Sequence, residues 1–361
     1  MIWDFQIIQE IECAMREFGS DFHKCAPDFL GTNNRIAAIS DNLRYYANGR
    51  QALEALIVQE KWRRIWVPAY FCYEVIGHIR TLGIKVELYD DNPLENNDDH
   101  IVRSLPYMDG DVLLRVNYFG IRSFRNNKGI CVPVIEDHSH DIISDWATDS
   151  NADWCIASIR KSLPLAAGGI LWSPTNKVIP SQLDSSDLCE KMAAIRYMAM
   201  SVKSAYLKNG GNKNEFREMF VQTEEMIEKL DISGMDKETK RIVERFDLNK
   251  WTECRNRNWG IARDLLDKRF RLLMPWSNSS CNPFSVIIIC NSLQERASLR
   301  QYLISKNVYP AILWQIIEDI EFNNARDFSD RMLSLHCDAR YDDNDVKVMC
   351  GVINSFYDQN H

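Results

Sequence analysis

The sequence predicts an α/β protein of two lobes, and three observations carry that prediction. The chain has 361 residues, and single hydrophobic cores stop growing at about 250–300 residues. Its first half alternates short apolar runs with helical periodicity, the pattern of buried, largely parallel strands. After Pro174 the texture changes to long charged helices and then returns to a strand–helix–strand–helix tail. A large domain is expected over residues 1–245, including an N-terminal segment 1–30, with a small C-terminal domain over 246–361.

Each element follows from its residues. Arg64 to Pro68 reads as a strand, and Tyr70 to Leu82 as an amphipathic helix. Further strands are expected at Ile84–Tyr89, Asp111–Asn117, Cys131–Ile135 and Trp154–Ser158, and Gly169–Ser173 closes the series. From about Ser181 to Asp267 the pattern is helical, broken at Gly210-Gly211 and at Asp231 to Gly234. Phe284–Cys290 gives a strand and Leu293–Ile304 a helix. A last helix begins near Asp343, with Asp342 or Asp343 as its N-cap.

Composition narrows the class of function. Hydrophobic residues make up 45% and charged residues 26%, which excludes a disordered chain, a collagen-like fibre or a low-complexity scaffold. Lys+Arg total 43 against 51 Asp+Glu, a net charge of -8 that argues against gripping nucleic acid or anionic lipid. One small basic pocket remains compatible with it. The eleven cysteines are odd in number and contain no CxxC pair, so they read as buried thiols rather than a disulfide framework or zinc site. The N-terminus carries Asp4, Glu10 and Glu12 and has no signal-peptide pattern, and no run reaches the ~18 apolar residues of a membrane span. A soluble cytoplasmic protein is expected.

Four constellations fall at predicted strand ends, where such folds bind ligands. Ala47-Asn-Gly-Arg50 leads into a helical run, so its free N–H groups form an anion site or simply a turn. Val134-Ile-Glu-Asp-His-Ser-His140 ends a strand with acids and imidazoles. A carboxylate there could hold a ring nitrogen protonated, or His138 and His140 with Asp137 and Asp141 could ligate a metal. Lys161 follows an apolar strand, between Ser158 and Gly168-Gly169, and is either a loop lysine or a Schiff-base amine. Pro68-Ala-Tyr-Phe-Cys-Tyr73 offers aromatics for the core or for a flat ring. A phosphate cradle, an aromatic plate, a strand-end acid and a lysine together match what pyridoxal phosphate requires.

In order and spacing the chain resembles the DegT/StrS family of nucleotide-sugar aminotransferases, within the fold-type-I pyridoxal-phosphate enzymes. The matching residues are Asn48-Gly-Arg-Gln-Ala52, Val67-Pro-Ala-Tyr70, Val116-Asn-Tyr-Phe-Gly120, Glu136-Asp-His-Ser-His140 and Lys161 with Gly168-Gly169. Leu333 to Tyr341 and Asp345 continue the match near the C-terminus. The resemblance implies a fold-type-I large domain, with a mostly parallel sheet flanked by helices, and a small C-terminal α/β domain. It implies that Lys161 forms the Schiff base and shuttles a proton. Asp137 would then pair with the pyridinium nitrogen, and His140 would sit near the phenolic oxygen. Gly49 and Arg50 would give backbone N–H groups and Ser158 a hydroxyl to the phosphate, with Asn48 among the cofactor-binding residues, Phe71 over the ring and no metal.

It further implies a homodimer with the active site at the subunit interface, transferring an amino group from an amino acid to a keto sugar. The setting would be surface-polysaccharide or amino-sugar biosynthesis. The chain departs from the family where Leu165-Ala-Ala replaces an acidic turn and where Ser158 stands three residues before the lysine. After Lys161 no Gly-x-Asn-x-Arg segment follows, and Gly210-Gly-Asn-Lys213 is a poor substitute for one. A lyase, a dehydratase or an amino-acid-specific transferase on the same cofactor is the alternative, and a non-catalytic relic is a further one.

Overall fold

A computed structural model describes residues 16–31, 36, 39–95, 98–276, 281–318 and 320–358. The expected absence of a signal peptide concerns residues 1–15, which lie outside the described residues. The first described strand, β1 (Phe18–Gly19), pairs in parallel with a strand far along the chain, Phe18 opposite Val308.

The strand signals of the first half assemble into one seven-stranded sheet. Its members are β2 (Arg44–Tyr46), β3 (Arg64–Pro68), β4 (Lys85–Tyr89), β5 (Asp111–Val116), β6 (Val134–Asp137), β7 (Trp154–Ala157) and β8 (Gly169–Trp172), in the order β2-β8-β7-β6-β5-β3-β4. Strands β3 to β7 are parallel, whereas β8 runs antiparallel to both β7 and β2. Three helices come from the same half: α1 (Gly49–Glu60), α2 (Tyr73–Thr81) and α3 (Asp99–Ser104); a short α4 (Asp145–Thr148) follows β6. All six residues of β5 are buried, as a strand covered on both faces requires.

Alternation along these strands divides two cores. Ile65, Val67, Val112, Leu114, Ile135 and Ile156 face the cluster that includes Ala52, Leu56, Ile76 and Ile79 of α1 and α2. Trp66, Leu113, Val134, Cys155 and Ala157 face the other.

Two shifted boundaries bear on the site. The helix expected from Tyr70 starts at Tyr73, because Tyr70 is held in the preceding loop. Its amide donates to the Asp91 carbonyl at 3.4 Å, and its own carbonyl accepts the Tyr118 hydroxyl at 2.5 Å. The strand expected at Cys131–Ile135 is displaced to Val134–Asp137, which carries Asp137 to the strand's carboxyl end.

The charged middle of the chain forms α5 (Asp187–Asn209), α6 (Lys213–Glu228), α7 (Lys237–Val243) and α8 (Leu248–Leu265), with the expected breaks between them. Helices α5 and α6 pack together as a hairpin turned at Gly210-Gly211. Helix α8 joins two cores: Leu248 and Trp251 pack in the second, Trp259 and Ala262 in a third. That third core lies among β9 (Arg271–Leu272), β10 (Val286–Ile289), α9 (Leu293–Ser305), β11 (Val308–Tyr309), β12 (Met332–Leu335) and α11 (Asp343–Asp358), with α10 (Asn323–Arg331) before β12. Strands β9, β10 and β12 make an antiparallel sheet with β10 central. Asp342 caps α11, its carboxylate accepting the Asp345 N–H at 2.8 Å.

No disulfide joins the ten described cysteines. Burial pushes the Cys337 and Cys350 thiols up to about 12, so they pack rather than react. No helix among the described residues is long and apolar enough to cross a membrane.

Candidate active site

The carboxyl ends of β3, β6 and β7 and the start of α1 meet at one edge of the large sheet. Their residues line a pocket that contains Asn48, Gly49, Arg50, Phe71, Asp137, Ser158 and Lys161. Seven of the eight residues singled out from the sequence therefore share one pocket. The eighth, His140, is not among its lining residues.

Asp137 is the last residue of β6, and one of its oxygens accepts the Ser139 N–H at 2.8 Å. The Ser139 hydroxyl accepts the Ser158 N–H at 2.8 Å. This short chain of bonds ties the acid to the turn that carries the lysine. Lys161 ends a single 3-10 turn, Ile159–Lys161, and its ammonium lies 5.4 Å from the ring centroid of Trp314. Trp314 also meets Phe71 at 5.7 Å.

His140 is buried in a ring stack. Its ring lies 5.3 Å from Phe119 at 17° and 5.5 Å from Trp314 at 22°. Its Nδ1 accepts the Phe119 N–H at 3.1 Å. Burial, then the charges of Lys161 and Arg255, push the imidazole well below its ordinary range, so it is neutral.

The metal alternative does not survive the backbone. The strand ends at Asp137, and Asp141 N–H bonds back to the His138 carbonyl at 3.0 Å, so His138 and His140 no longer share a face. His138 instead meets Glu136 at 3.1 Å. Among the described residues the group close enough to share an ion is Glu136, His138 and Cys155, wholly buried behind the strand. Burial would raise the Glu136 carboxyl, but His138, Asn127 and Ser150 hold it below its usual value.

The start of α1 is built for close approach. The Asn48 carboxamide oxygen caps the helix by accepting the Gln51 N–H at 3.0 Å, while its buried Nδ2 has no partner. A methyl on Gly169 would fall 2.1 Å from the Asn48 carbonyl oxygen, which explains the second glycine of the Gly-Gly pair. Gln51 anchors the helix by donating to the Leu230 and Asp231 carbonyls at 3.0 and 2.8 Å. The Arg50 guanidinium points away from the helix start, pairing with Glu228 at 3.0 Å and donating to the Ile227 carbonyl at 3.1 Å.

Several lining residues were invisible in the sequence. Helix α6 brings Glu224, Ile227 and Glu228 to the pocket, and α2 brings Glu74. On the sequence they are indistinguishable from the solvated acids of a charged helix. Trp314, which is not itself a lining residue, comes within 5.4 Å of the Lys161 ammonium from a loop about 150 residues further along the chain, and only tertiary packing reveals it.

The fold is that of solved aminotransferases. Spr1654 of Streptococcus pneumoniae, in its PLP form, matches with a TM-score of 0.66 and 12% identity over 96% of this chain and 99% of its own. PseC of Helicobacter pylori, an aminotransferase involved in pseudoaminic acid biosynthesis, matches at 0.65 and 12% over 95% of this chain and 100% of its own. DesI, solved with its TDP-sugar product, matches at 0.60 and 12% over 91% and 86%. No family model and no curated protein matches the sequence. At these identities the likeness shows the fold, including the mostly parallel central sheet expected from the sequence.

Proposed function

We propose that the chain is a pyridoxal-phosphate-dependent aminotransferase that moves an amino group from an amino acid to a keto sugar, nucleotide-linked, in amino-sugar or surface-polysaccharide biosynthesis. The observation that carries this reading is the meeting of Asp137 and Lys161 in one pocket at the N-terminus of α1. A twelve-residue helix presents unpaired N–H groups there, and the buried Asn48 Nδ2 lacks an acceptor that a phosphate oxygen would supply. The fold shared with PseC and DesI supports the choice of a sugar substrate.

When bound, the cofactor supplies an electron sink conjugated to the reacting carbon. The chain's own groups do the rest. The Lys161 Nζ would be the amine that holds the cofactor and would serve as the acid and base that moves the proton. Asp137, with one oxygen committed to Ser139, keeps the other for the protonated ring nitrogen. Gly49 and Arg50 would offer backbone N–H groups and Ser158 a hydroxyl to the phosphate, and Phe71 would cover the ring. The neutral His140 holds Phe119 and Trp314 in place beside the lysine. A cytoplasmic homodimer with the large domain over 1–245 is part of the same proposal.

The test is the first half-reaction. The protein loaded with pyridoxal phosphate is mixed with glutamate or glutamine, and formation of pyridoxamine phosphate is followed by absorbance. Conversion with either donor supports aminotransfer; decomposition of the amino acid without amine retention moves the chain to a lyase.

A further inference from the structure

A second cavity, of about 270 Å³, opens against Lys161. It shares Arg160 and Lys161 with the pocket that holds Asp137, so a molecule seated in it reaches the same amine. Its charged lining is Arg160, Lys161 and Arg196 against the single acid Asp21, set among the apolar walls of Phe22, Leu165 and Phe220. The neighbouring pocket has the opposite balance, with Asp137, Glu74, Glu224 and Glu228 facing three cations.

The two guanidiniums are paired, but one of their donors is left over. Arg196 donates to Glu224 at 2.6 Å, to Thr223 at 3.0 Å and to Asp21 at 3.1 Å. Arg160 reaches the same Glu224 at 3.3 Å. Both guanidiniums draw on Glu224, Asp21 serves Arg196 as well, and Arg160 Nε is buried with no partner. Leaving a charged donor buried and unpaired costs the desolvation of that group, which an arriving anion recovers. Forked guanidinium donors match the paired oxygens of a carboxylate or phosphate.

We propose that this cavity is an anion subsite, in which Arg160 and Arg196 hold a carboxylate or phosphate of the molecule that reacts at Lys161. The inference rests on the reading of Lys161 as the reactive amine. The anionic group comes from a dicarboxylic amino donor or from a phosphate-bearing acceptor, and one experiment separates them.

The full chain, with pyridoxal phosphate present, is titrated calorimetrically with glutarate in one arm and inorganic phosphate in the other. Saturable binding is expected, weakened about tenfold or more in Arg196→Gln and in Arg160→Gln. Arg196→Lys should recover part of it. Asp21→Asn should bind more tightly than the native protein, because a competing carboxylate is gone, and no folding defect produces a gain. Preference for glutarate assigns the donor's carboxylate; preference for phosphate assigns the acceptor. Binding of neither anion, or binding that no variant alters, overturns the proposal. Visible absorbance reads cofactor attachment separately. Absent attachment with Arg196-dependent anion binding sinks the aminotransferase reading alone; attachment with variant-indifferent binding sinks the subsite alone.

Discussion

Gly49 and Ser158 touch so closely that a methyl on Gly49 would lie 2.8 Å from the Ser158 Cβ and 3.0 Å from its amide nitrogen. The start of α1 and the turn leading to Lys161 are therefore pressed together without a side chain between them. Gly49→Ala must push the two apart. Overpacking of this kind costs about 1–3 kcal/mol, and the displaced N–H groups should lose affinity for pyridoxal phosphate. Thermal melting and a cofactor titration check both effects.

Asn48 does two things that one substitution can separate. Its oxygen caps α1, while its Nδ2 waits unpaired in the pocket. Serine caps as well as asparagine but has no Nδ2. Asn48→Ser should leave the melting temperature nearly unchanged and weaken cofactor binding about tenfold, the worth of one hydrogen bond to a charged group. Equal loss of stability and affinity would mean that the cap alone matters.

Much of this site could be read from the sequence, because its parts are local. Glycines needed for close approach, a strand-end acid and a lysine after a strand are written within a few residues of where they act. What escaped depended on long-range packing. Strand β2 is three residues long and too short to leave a period. Trp314 comes beside Lys161 and Phe71 only when a loop about 150 residues further along the chain packs there. The α6 acids look like ordinary surface charges until Arg50 and Arg160 pair with them at the rim of the pocket. The aromatic stack that holds His140 after β6 is likewise a product of packing.

Arg122 and Asp91 form an ion pair whose side chains are both fully buried, with bonds at 2.9 and 2.5 Å. Asn92 also accepts from Arg122 through its carbonyl, at 2.6 Å. Removing one partner of such a pair strands the other charge, at about 3–5 kcal/mol. Arg122→Met should lower stability by that amount in a urea titration. The double variant with Asp91→Asn should recover a substantial part.

Acid should weaken the fold through its buried imidazoles. Burial first, then Arg340 and Lys203, lower the His23 imidazole to about 4, from an unfolded value near 6.5. Between those values the unfolded chain binds a proton that the folded chain refuses. Stability is therefore level above about pH 6.5 and falls as pH drops towards 4. His140, also lowered by burial, adds to the same slope. His23 is partly exposed, so His23→Gln should remove about 1–2 kcal/mol of the fall after discounting for solvent. Melting temperatures from pH 7.5 to 4 measure it; an unchanged slope in the variant would count against the assignment.

The central claim is that Lys161 is the amine that carries the cofactor, with Asp137 beside it. Pyridoxal phosphate is added to the purified chain, the adduct is fixed with borohydride, and the modified peptide is found by mass spectrometry. The account predicts a single pyridoxyl group on Lys161, accompanied by visible absorbance before reduction and absent in Lys161→Ala. Label spread over surface lysines, or a Lys161→Ala protein that still gains the absorbance, would contradict it.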